Sequence, residues 1–321
     1  MNTNDAVSLL VTKTIAETER KRLDELSASG RGLDVRVLTG SATDPTDGEA
    51  AFFSPDEFPN APARMAVTAI KAPSLKWLHT LSAGVDHPIF GSLRQRGVRL
   101  TTSSGAAAVP IAQAVFMHLL AITRQLPAMM RNRSTATWDR LPGSNLAGTT
   151  VVIAGMGPIG VETAKLASAF GMRAIGLRRT ITGGEPCETW TLDRFGEAIA
   201  RADHLVLALP LTPETRLILD ESSIGSMRQG ASVINVGRGE LIDEPALIRA
   251  LQSGHLGGAG LDVTVVEPLP PDSPLWAMEN VILTPHNSAA IPATNVAVVD
   301  IFFDNLKRYL HGEPLRNEVA G

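Results

Sequence analysis

Cysteine is nearly absent from this sequence: Cys187 is the only one among 321 residues. A single thiol excludes an internal disulfide and a zinc site built from several cysteines. A chain that needs no disulfide is typical of a reducing compartment. We therefore expect a cytoplasmic protein, and no motif in the sequence predicts a bound metal.

Long apolar runs and an excess of one charge are also missing. The early run "VSLLV" is too short for the hydrophobic region of a signal peptide. The helical stretch "IAQAVFMHLLAI" carries Gln113 and His118 and is too short to span a bilayer. A net charge of −4 gives no electrostatic signature of nucleic acid or of an anionic membrane. The sequence therefore predicts neither kind of partner.

Short apolar runs instead alternate with helical stretches along the chain. The first strands are expected at "VSLLVTK", "LDVRVL", "WLHTLSAG" and "VRLTT", with helices at "IAETERKRLDELSASG" and "HPIFGSLRQRG" between them. A long helix is expected from about Val109 to Arg133. A second set of strands follows at "TVVIAGMG", "MRAIGLRR", "HLVLALP", "SVINVG", "GAGLDV" and "NVILTP". Such alternation predicts α/β units with parallel sheets covered by helices.

The last helix should return to the first unit. The stretch "ATNVAVVDIFFDNLKRYLHG" has an apolar stripe through Val298, Ile301, Phe302 and Leu306, and it follows the completed second unit. The predicted domains are therefore residues 1–104 with 289–321, and an inserted domain of residues 105–288.

One turn has the glycine spacing of a dinucleotide-binding loop. Gly155, Gly157 and Gly160 stand between an apolar strand and an Ala-rich helix. Gly155 would permit the tight turn, Gly157 the approach of a pyrophosphate to the backbone, and Gly160 the close packing of helix on strand. The helix N-terminus would offer free N–H groups to the phosphates. The alternative is an ordinary strand–helix turn without a ligand.

A second feature is the strand "NVILTPHNSA", which ends at Pro285 and places His286 in a polar turn. A histidine at a strand end is often only a surface or capped residue. It is also the side chain best suited to donate or accept a proton near neutral pH.

Several long segments, in the same order, resemble the D-isomer-specific 2-hydroxyacid dehydrogenases, and in particular glyoxylate/hydroxypyruvate reductases. These segments are "LKWLHTLSAGVD", "GMGPIGVETAKLASAFGM", "ADHLVLALPLTPETRLIL", "INVGRGELIDEPALIRALQSGHLGGAGLDV" and "EPLPPDSPLWAMENVILTPH". The resemblance implies two Rossmann/flavodoxin-like α/β domains, with the cofactor domain inserted into the substrate domain. It also implies a homodimer formed through the helix that starts near Val109.

The same resemblance places the catalytic residues at Arg238, Glu267 and His286. His286 would give a proton to the C2 oxygen of a 2-ketoacid while hydride arrives from NAD(P)H. A carboxylate beside it, Glu267, would orient the ring and favour its protonated form. Arg238 would hold the substrate carboxylate bidentately and polarise the ketone. Taken singly, Arg238 could be a solvated loop arginine and Glu267 an ordinary turn acid.

Two further sets of contacts are expected. Substrate would be bound by Arg238 and by the loop of Ser82, Ala83 and Gly84, where backbone N–H groups would receive the carboxylate. Cofactor would be contacted by Gly155, Gly157, Pro158, Ile159, Gly160, Arg178, Arg179, Thr180, Leu209, Pro210, Thr215, Val236, Gly237, Asp262 and His286. The substrate side chain is expected near Ser54, Ser82, Trp138 or Leu141.

The sequence departs from the family at two places. Gln113 stands where the family often has Glu, in a helix that looks structural. Arg178 ends the strand "MRAIGLRR" where an NAD enzyme would place an acid, and Arg179 and Thr180 follow it. A positive strand end suits a 2′-phosphate, so we expect NADPH to be preferred, with NADH as the alternative.

Three rival functions can be weighed from the sequence. A formate dehydrogenase on this fold typically has Gln at the position of Glu267. A phosphoglycerate dehydrogenase is disfavoured because no regulatory extension follows Gly321. A corepressor-like dinucleotide sensor would tolerate loss of the catalytic residues, and all three are present here.

Overall fold

The strands form two separate sheets, and the strands within each sheet pair in parallel. The computed structural model describes residues 6–39, 47–57, 68 and 71–319. It divides the chain into unit 1, residues 1–106 with 292–321, and unit 2, residues 107–291. The α/β class with two parallel sheets is as predicted.

Unit 1 contains a five-stranded sheet. Its strands are β1 (Val7–Thr12), β2 (Leu33–Leu38), β3 (Ala50–Phe53), β4 (Trp77–Thr80) and β5 (Arg99–Thr102). They lie in the order β2–β1–β3–β4–β5. The helices that the structure describes with full bounds in this unit are α1 (Lys13–Thr18), α2 (Arg20–Ser27), α3 (Pro88–Gln95) and α10 (Pro292–His311).

Helix α10 packs into the core of unit 1. Val298, Phe302 and Leu306 are spaced by four residues, so they share one face of the helix, and all three are buried. The ring of Phe302 stacks on that of Phe52 in β3, with 4.0 Å between centroids. The C-terminal helix thus belongs to the unit formed by the N-terminal strands.

Unit 2 contains a seven-stranded sheet. Its strands are β6 (Thr150–Ala154), β7 (Arg173–Arg178), β8 (Glu188–Thr191), β9 (His204–Leu207), β10 (Ala231–Asn235), β11 (Leu256–Leu261) and β12 (Val281–Leu283). Its helices are α4 (Ala108–Thr123), α5 (Leu126–Ser134), α6 (Pro158–Ala169), α7 (Phe195–Ile199), α8 (Glu221–Ser226) and α9 (Glu244–Gln252).

The strand order of unit 2 is β12–β11–β10–β9–β6–β7–β8. The chain runs outward from β6 in one direction to β8 and then returns to the other side of β6 with β9. Ligands of doubly wound sheets bind at the carboxyl ends of the strands at such a reversal. The central strands β9 and β10 are buried along their whole length, and two of their polar side chains, His204 and Ser232, pair with each other at 2.8 Å.

The prediction of a single long helix from about Val109 to Arg133 is wrong. Helices α4 and α5 are separate and bent by 65°. Gln125 between them is left-handed, with φ of 54°, and Pro127 has no N–H to continue the helical hydrogen bonds. No single helix of the described residues is long and apolar enough to cross a membrane, although α4 and α5 meet that test of length and composition as a bent pair.

Candidate active site

The glycine turn lies at the carboxyl end of β6, where the strand order reverses. Gly155 has φ of 108°, and a Cβ there would lie 2.5 Å from the carbonyl oxygen of Ala208. A Cβ on Gly160 would lie 2.0 Å from the carbonyl oxygen of Gly155. Both glycines are therefore required by the packing of the turn itself.

Gly157 differs, because a Cβ there would meet no described atom within 4 Å. It is the N-cap of α6, and Pro158 and Ile159 form the first turn of that helix. Open space above backbone N–H groups at a helix N-terminus suits an anionic group such as a pyrophosphate. The turn therefore fits the dinucleotide predicted from its spacing.

The loop after β9 lies against this turn, and the loop after β10 packs against the loop after β9. Gly237 packs on Leu209, since a Cβ on Gly237 would lie 2.8 Å from the Leu209 carbonyl oxygen. The buried Thr215 hydroxyl donates to the Pro210 carbonyl oxygen at 2.7 Å. Leu209 thus lies beside Gly155 at the end of β6, and Gly237 lies beside Leu209. The hydroxyl of Thr215 holds the loop of Pro210 together.

The end of β7, where Arg178 is expected to favour NADPH, carries an ion pair. Nη1 of Arg178 lies 2.8 Å from Oε1 of Glu185, a residue that the sequence analysis did not single out. Hydrogen bonds from the N–H and hydroxyl of Thr182 lower the pKa of Glu185 to about 2. Arg179 and Thr180 are exposed.

The predicted proton donor and its predicted carboxylate partner are in contact. Nδ1 of His286 lies 2.8 Å from Oε2 of Glu267. A carboxylate can only accept, so Nδ1 carries the hydrogen and Nε2 is the atom left to exchange a proton with a substrate. The N–H of Thr264 donates to the other oxygen of Glu267 at 3.2 Å, which holds the carboxylate from its own loop.

A buried acid holds the turn that carries His286. Asp262 accepts from the hydroxyl of Thr284 at 2.6 Å and from the N–H of Asn287 at 3.1 Å. It also accepts from the N–H and hydroxyl of Ser288. His286 itself has φ of 49° and donates its N–H to the Asp262 carbonyl oxygen at 2.8 Å. Asp262, expected among the cofactor contacts, thus has its carboxylate engaged beneath the turn that carries His286.

Arg238 lies in the turn after β10. The side-chain amide of Asn235 donates to the Arg238 carbonyl oxygen at 2.8 Å, and Nη1 of Arg238 donates to the Gly237 carbonyl oxygen at 2.8 Å. Gly239 packs on the backbone of Thr264, from which a Cβ would lie only 2.1 Å. The segment of Arg238 therefore touches the segment that leads to Glu267.

The three predicted catalytic residues follow three neighbouring strands. Arg238 comes after β10, Glu267 after β11 and His286 after β12. The carboxyl ends of parallel strands meet at one edge of a sheet, so the topology gathers all three on one edge of unit 2.

The predicted carboxylate-binding loop belongs to unit 1. Neither Ala83 nor Gly84 donates its N–H to a residue in the described part of the chain. The Ser82 hydroxyl, considered as an extra donor, donates to the Gly84 carbonyl oxygen at 2.7 Å. Ser103 donates its N–H to the Ser82 carbonyl oxygen at 3.2 Å, and Nε2 of His79 lies 3.1 Å from the Ser103 hydroxyl. The loop is thus held from β4 and from the segment after β5.

The residues suggested for the substrate side chain differ in exposure. Ser54 is fully buried, and its hydroxyl donates to Asp56 at 2.6 Å. Leu141 is half-buried. Trp138 is 97% exposed, so its ring is not packed into the described part of the chain.

Comparison with known proteins matches residues 116–288 to the family described as D-isomer specific 2-hydroxyacid dehydrogenase, NAD binding domain. A D-3-phosphoglycerate dehydrogenase from Methanocaldococcus jannaschii is 35% identical over 78% of this chain, and the match spans only 48% of that protein's length. A glyoxylate reductase from Thermofilum pendens is 32% identical over 75% of this chain and 74% of its own.

The fold comparison extends over nearly the whole chain. The crystal structure of a D-isomer specific 2-hydroxyacid dehydrogenase from Xanthobacter autotrophicus, in complex with NADPH and MES, is 29% identical. It covers 98% of this chain and 98% of its own, with a TM-score of 0.78.

Proposed function

Because this chain belongs to the D-isomer specific 2-hydroxyacid dehydrogenase family, we propose that it reduces a 2-ketoacid to a D-2-hydroxyacid with NADPH. The observation that carries the proposal is the contact of 2.8 Å between His286 and Glu267 at the strand edge that also holds Arg238. Unit 2 would bind the cofactor and unit 1 the substrate. The single cysteine suits a reducing compartment, and the cytoplasm is the proposed location.

His286 supplies the proton in this proposal. A bound NADPH would supply the hydride for C2. Nε2 of the His286 imidazolium would give its proton to the ketone oxygen. The ring is left neutral with its remaining hydrogen on Nδ1, facing Glu267. In the oxidation direction Nε2 accepts the hydroxyl proton, so the same pair serves both directions.

Arg238 and the loop of Ser82, Ala83 and Gly84 would hold the substrate carboxylate. The planar guanidinium can bind a carboxylate through two parallel hydrogen bonds and can also polarise the ketone. The N–H groups of Ala83 and Gly84, which donate to no described residue, add two neutral donors. Substrate orientation in this proposal is thus set by one charged group and a backbone loop.

Preference for NADPH rests on the positive end of β7. Charge-assisted bonds from Arg178, Arg179 and Thr180 to the 2′-phosphate would favour NADPH by about 10- to 100-fold for one well-placed arginine. Parallel measurement of kcat/KM for NADPH and NADH tests this. Equal values or a preference for NADH would contradict it.

A substrate panel decides the reaction. Glyoxylate, hydroxypyruvate, pyruvate, 3-phosphohydroxypyruvate and aromatic 2-ketoacids should be assayed with both cofactors, because the relatives include a glyoxylate reductase and a phosphoglycerate dehydrogenase. Turnover of any of them supports the enzyme. Cofactor binding without turnover of any ketoacid or hydroxyacid would favour a dinucleotide sensor instead.

The proposed assembly is a homodimer through α4 and α5. These helices expose six large apolar side chains: Val109, Met117, Leu120, Leu126, Met129 and Met130, which are 37–52% exposed. Contiguous exposed apolar surface is typical of an interface. Gln113, where the family often has Glu, is exposed on the same face of α4 as Val109 and Met117.

A further inference from the structure

The turn after β7 holds an almost completely buried carboxylate. The side chain of Glu185 is 5% exposed. Its Oε1 accepts from the N–H and the hydroxyl of Thr182 at 2.6 and 2.7 Å, and its Oε2 accepts from the N–H of Gly183 at 2.9 Å. Backbone and side chain of the turn thus fix this carboxylate in one position, independently of any arginine.

Arg178 is anchored to that carboxylate by one nitrogen. Its Nη1 donates to Glu185 at 2.8 Å and to the Thr182 hydroxyl at 3.1 Å. Its Nε and Nη2 make no hydrogen bond to the residues that the structure describes. The guanidinium therefore has two donor atoms left after it has been fixed.

The anchored arginine starts beside the glycine turn. The carbonyl oxygen of Leu177, the residue before Arg178, accepts the N–H of Gly155 at 2.9 Å and that of Met156 at 3.1 Å. The end of β7 and the start of the turn are thereby joined. If a dinucleotide places its pyrophosphate over Gly157, the attached adenosine ribose lies towards the end of β7.

We propose that Glu185 is a positioning residue for cofactor selection, which holds Arg178 by Nη1 so that Nε and Nη2 receive a ribose 2′-phosphate. The inference rests on the proposed preference for NADPH. Arg178 has already lost its side-chain freedom, whereas the exposed Arg179 must lose it on binding. Arg178 is therefore the main selecting group, and its effect depends on Glu185.

The sign of the Glu185 effect separates anchoring from simple charge. The negative charge of Glu185 alone would repel a phosphate, so its removal would strengthen selection if charge were the main effect. Anchoring predicts the reverse, because an unanchored Arg178 must be ordered by the phosphate itself. A substitution at Glu185 thus gives opposite results in the two cases.

The test measures binding of two fragments to the intact chain by calorimetry. Adenosine 2′,5′-bisphosphate and 5′-AMP differ by the 2′-phosphate. The dissociation constant of 5′-AMP divided by that of the bisphosphate therefore reports selection without turnover. Glu185→Ala should lower this ratio by about 2- to 10-fold. Glu185→Gln, which keeps an oxygen for Arg178, should restore part of it. In an Arg178→Ala background, Glu185→Ala should have no further effect.

Glu188→Ala is the matched control. Glu188 pairs with Arg173 at the opposite end of β7, at 2.9 Å, so this variant removes one carboxylate near β7 without touching Arg178. Its ratio should equal that of the wild type. Thermal melting checks that each variant is folded. If Glu185→Ala does not fold, Glu185→Gln decides, because it keeps the size of the side chain and its ratio should fall between that of the wild type and that of Arg178→Ala.

Two results would overturn the inference, and they differ. A wild-type protein that binds both fragments equally would contradict the NADPH preference and the inference with it. A wild-type protein that favours the bisphosphate, with a ratio unchanged or raised in Glu185→Ala, would contradict the role of Glu185 alone.

Discussion

His286 is held in an unusual backbone conformation as well as by its ring. Its φ of 49° lies in the left-handed region, where asparagine is tolerated far better than alanine or glutamine. His286→Asn therefore removes the ring with little added backbone strain. Turnover should fall by about 10²- to 10⁴-fold, the value of general acid catalysis, while calorimetric NADPH binding stays near wild type. If His286→Asn kept more than about a third of the wild-type kcat, the proton-donor role would be contradicted.

Glu267 should orient the ring of His286 through their contact of 2.8 Å. Alanine in its place leaves Nδ1 without this acceptor, so Nε2 is no longer held in one position. We expect Glu267→Ala to lower kcat for ketoacid reduction by about tenfold or more, with NADPH binding near that of the wild type. Glu267→Gln, whose side-chain oxygen can still accept from Nδ1, should recover part of the loss. Steady-state kinetics and calorimetry on the three proteins check this, and an unchanged kcat in Glu267→Ala would contradict the role of the carboxylate.

The three candidate catalytic residues could be proposed from the sequence, whereas the residues that support them could not. Arg238, Glu267 and His286 each stand in a local motif. The role of Asp262 depends on donors from Thr284, Asn287 and Ser288, which are 22–26 residues away. No sequence spacing predicts that an acid at the end of β11 will hold the turn that follows β12.

At the level of elements, the glycine turn yields a matched pair of predictions. Gly157→Ala should leave thermal stability within about 1 kcal/mol of wild type, because its Cβ meets no described atom within 4 Å. It should weaken NADPH binding at least about tenfold, since the methyl group would occupy the path of the pyrophosphate. Gly160→Ala should instead destabilise the fold by about 1–3 kcal/mol.

Melting and calorimetry on both variants check this pair. If Gly157→Ala binds NADPH as tightly as the wild type, the pyrophosphate does not approach that residue. If Gly160→Ala is as stable as the wild type, the helix can shift away from Gly155 at little cost.

The elements that the sequence analysis missed are short or broken. Strand β3 has four residues, Ala50–Phe53, and strand β8 has four, Glu188–Thr191, of which only Trp190 is buried. Strand β3 is too short for a clear periodicity, and β8 lies at the edge of its sheet, where it pairs with β7. The break at Gln125 was missed because the apolar pattern continues across it, although Pro127 was a local signal.

For the whole molecule, the apolar face of α4 and α5 predicts self-association. Met117→Glu should weaken dimerisation by about 100-fold or more, because a buried unpaired carboxylate costs several kcal/mol. Val296→Glu is the matched control, since Val296 is 62% exposed and lies on α10 of unit 1. Sedimentation equilibrium of the three proteins gives the result. A monomeric wild type, or equal effects of both substitutions, would contradict the proposed face.

The chain order of unit 2 has a consequence for how such a protein can diversify. Residues 107–291 contain the glycine turn, the strand end at Arg178, and the segments of Arg238, Glu267 and His286. The loop proposed to receive the carboxylate lies in a separate stretch of the gene, before residue 107. Under the proposed function, substitutions in the first third of the coding sequence could change how the substrate carboxylate is received without altering the segments proposed to bind the cofactor and to transfer the proton.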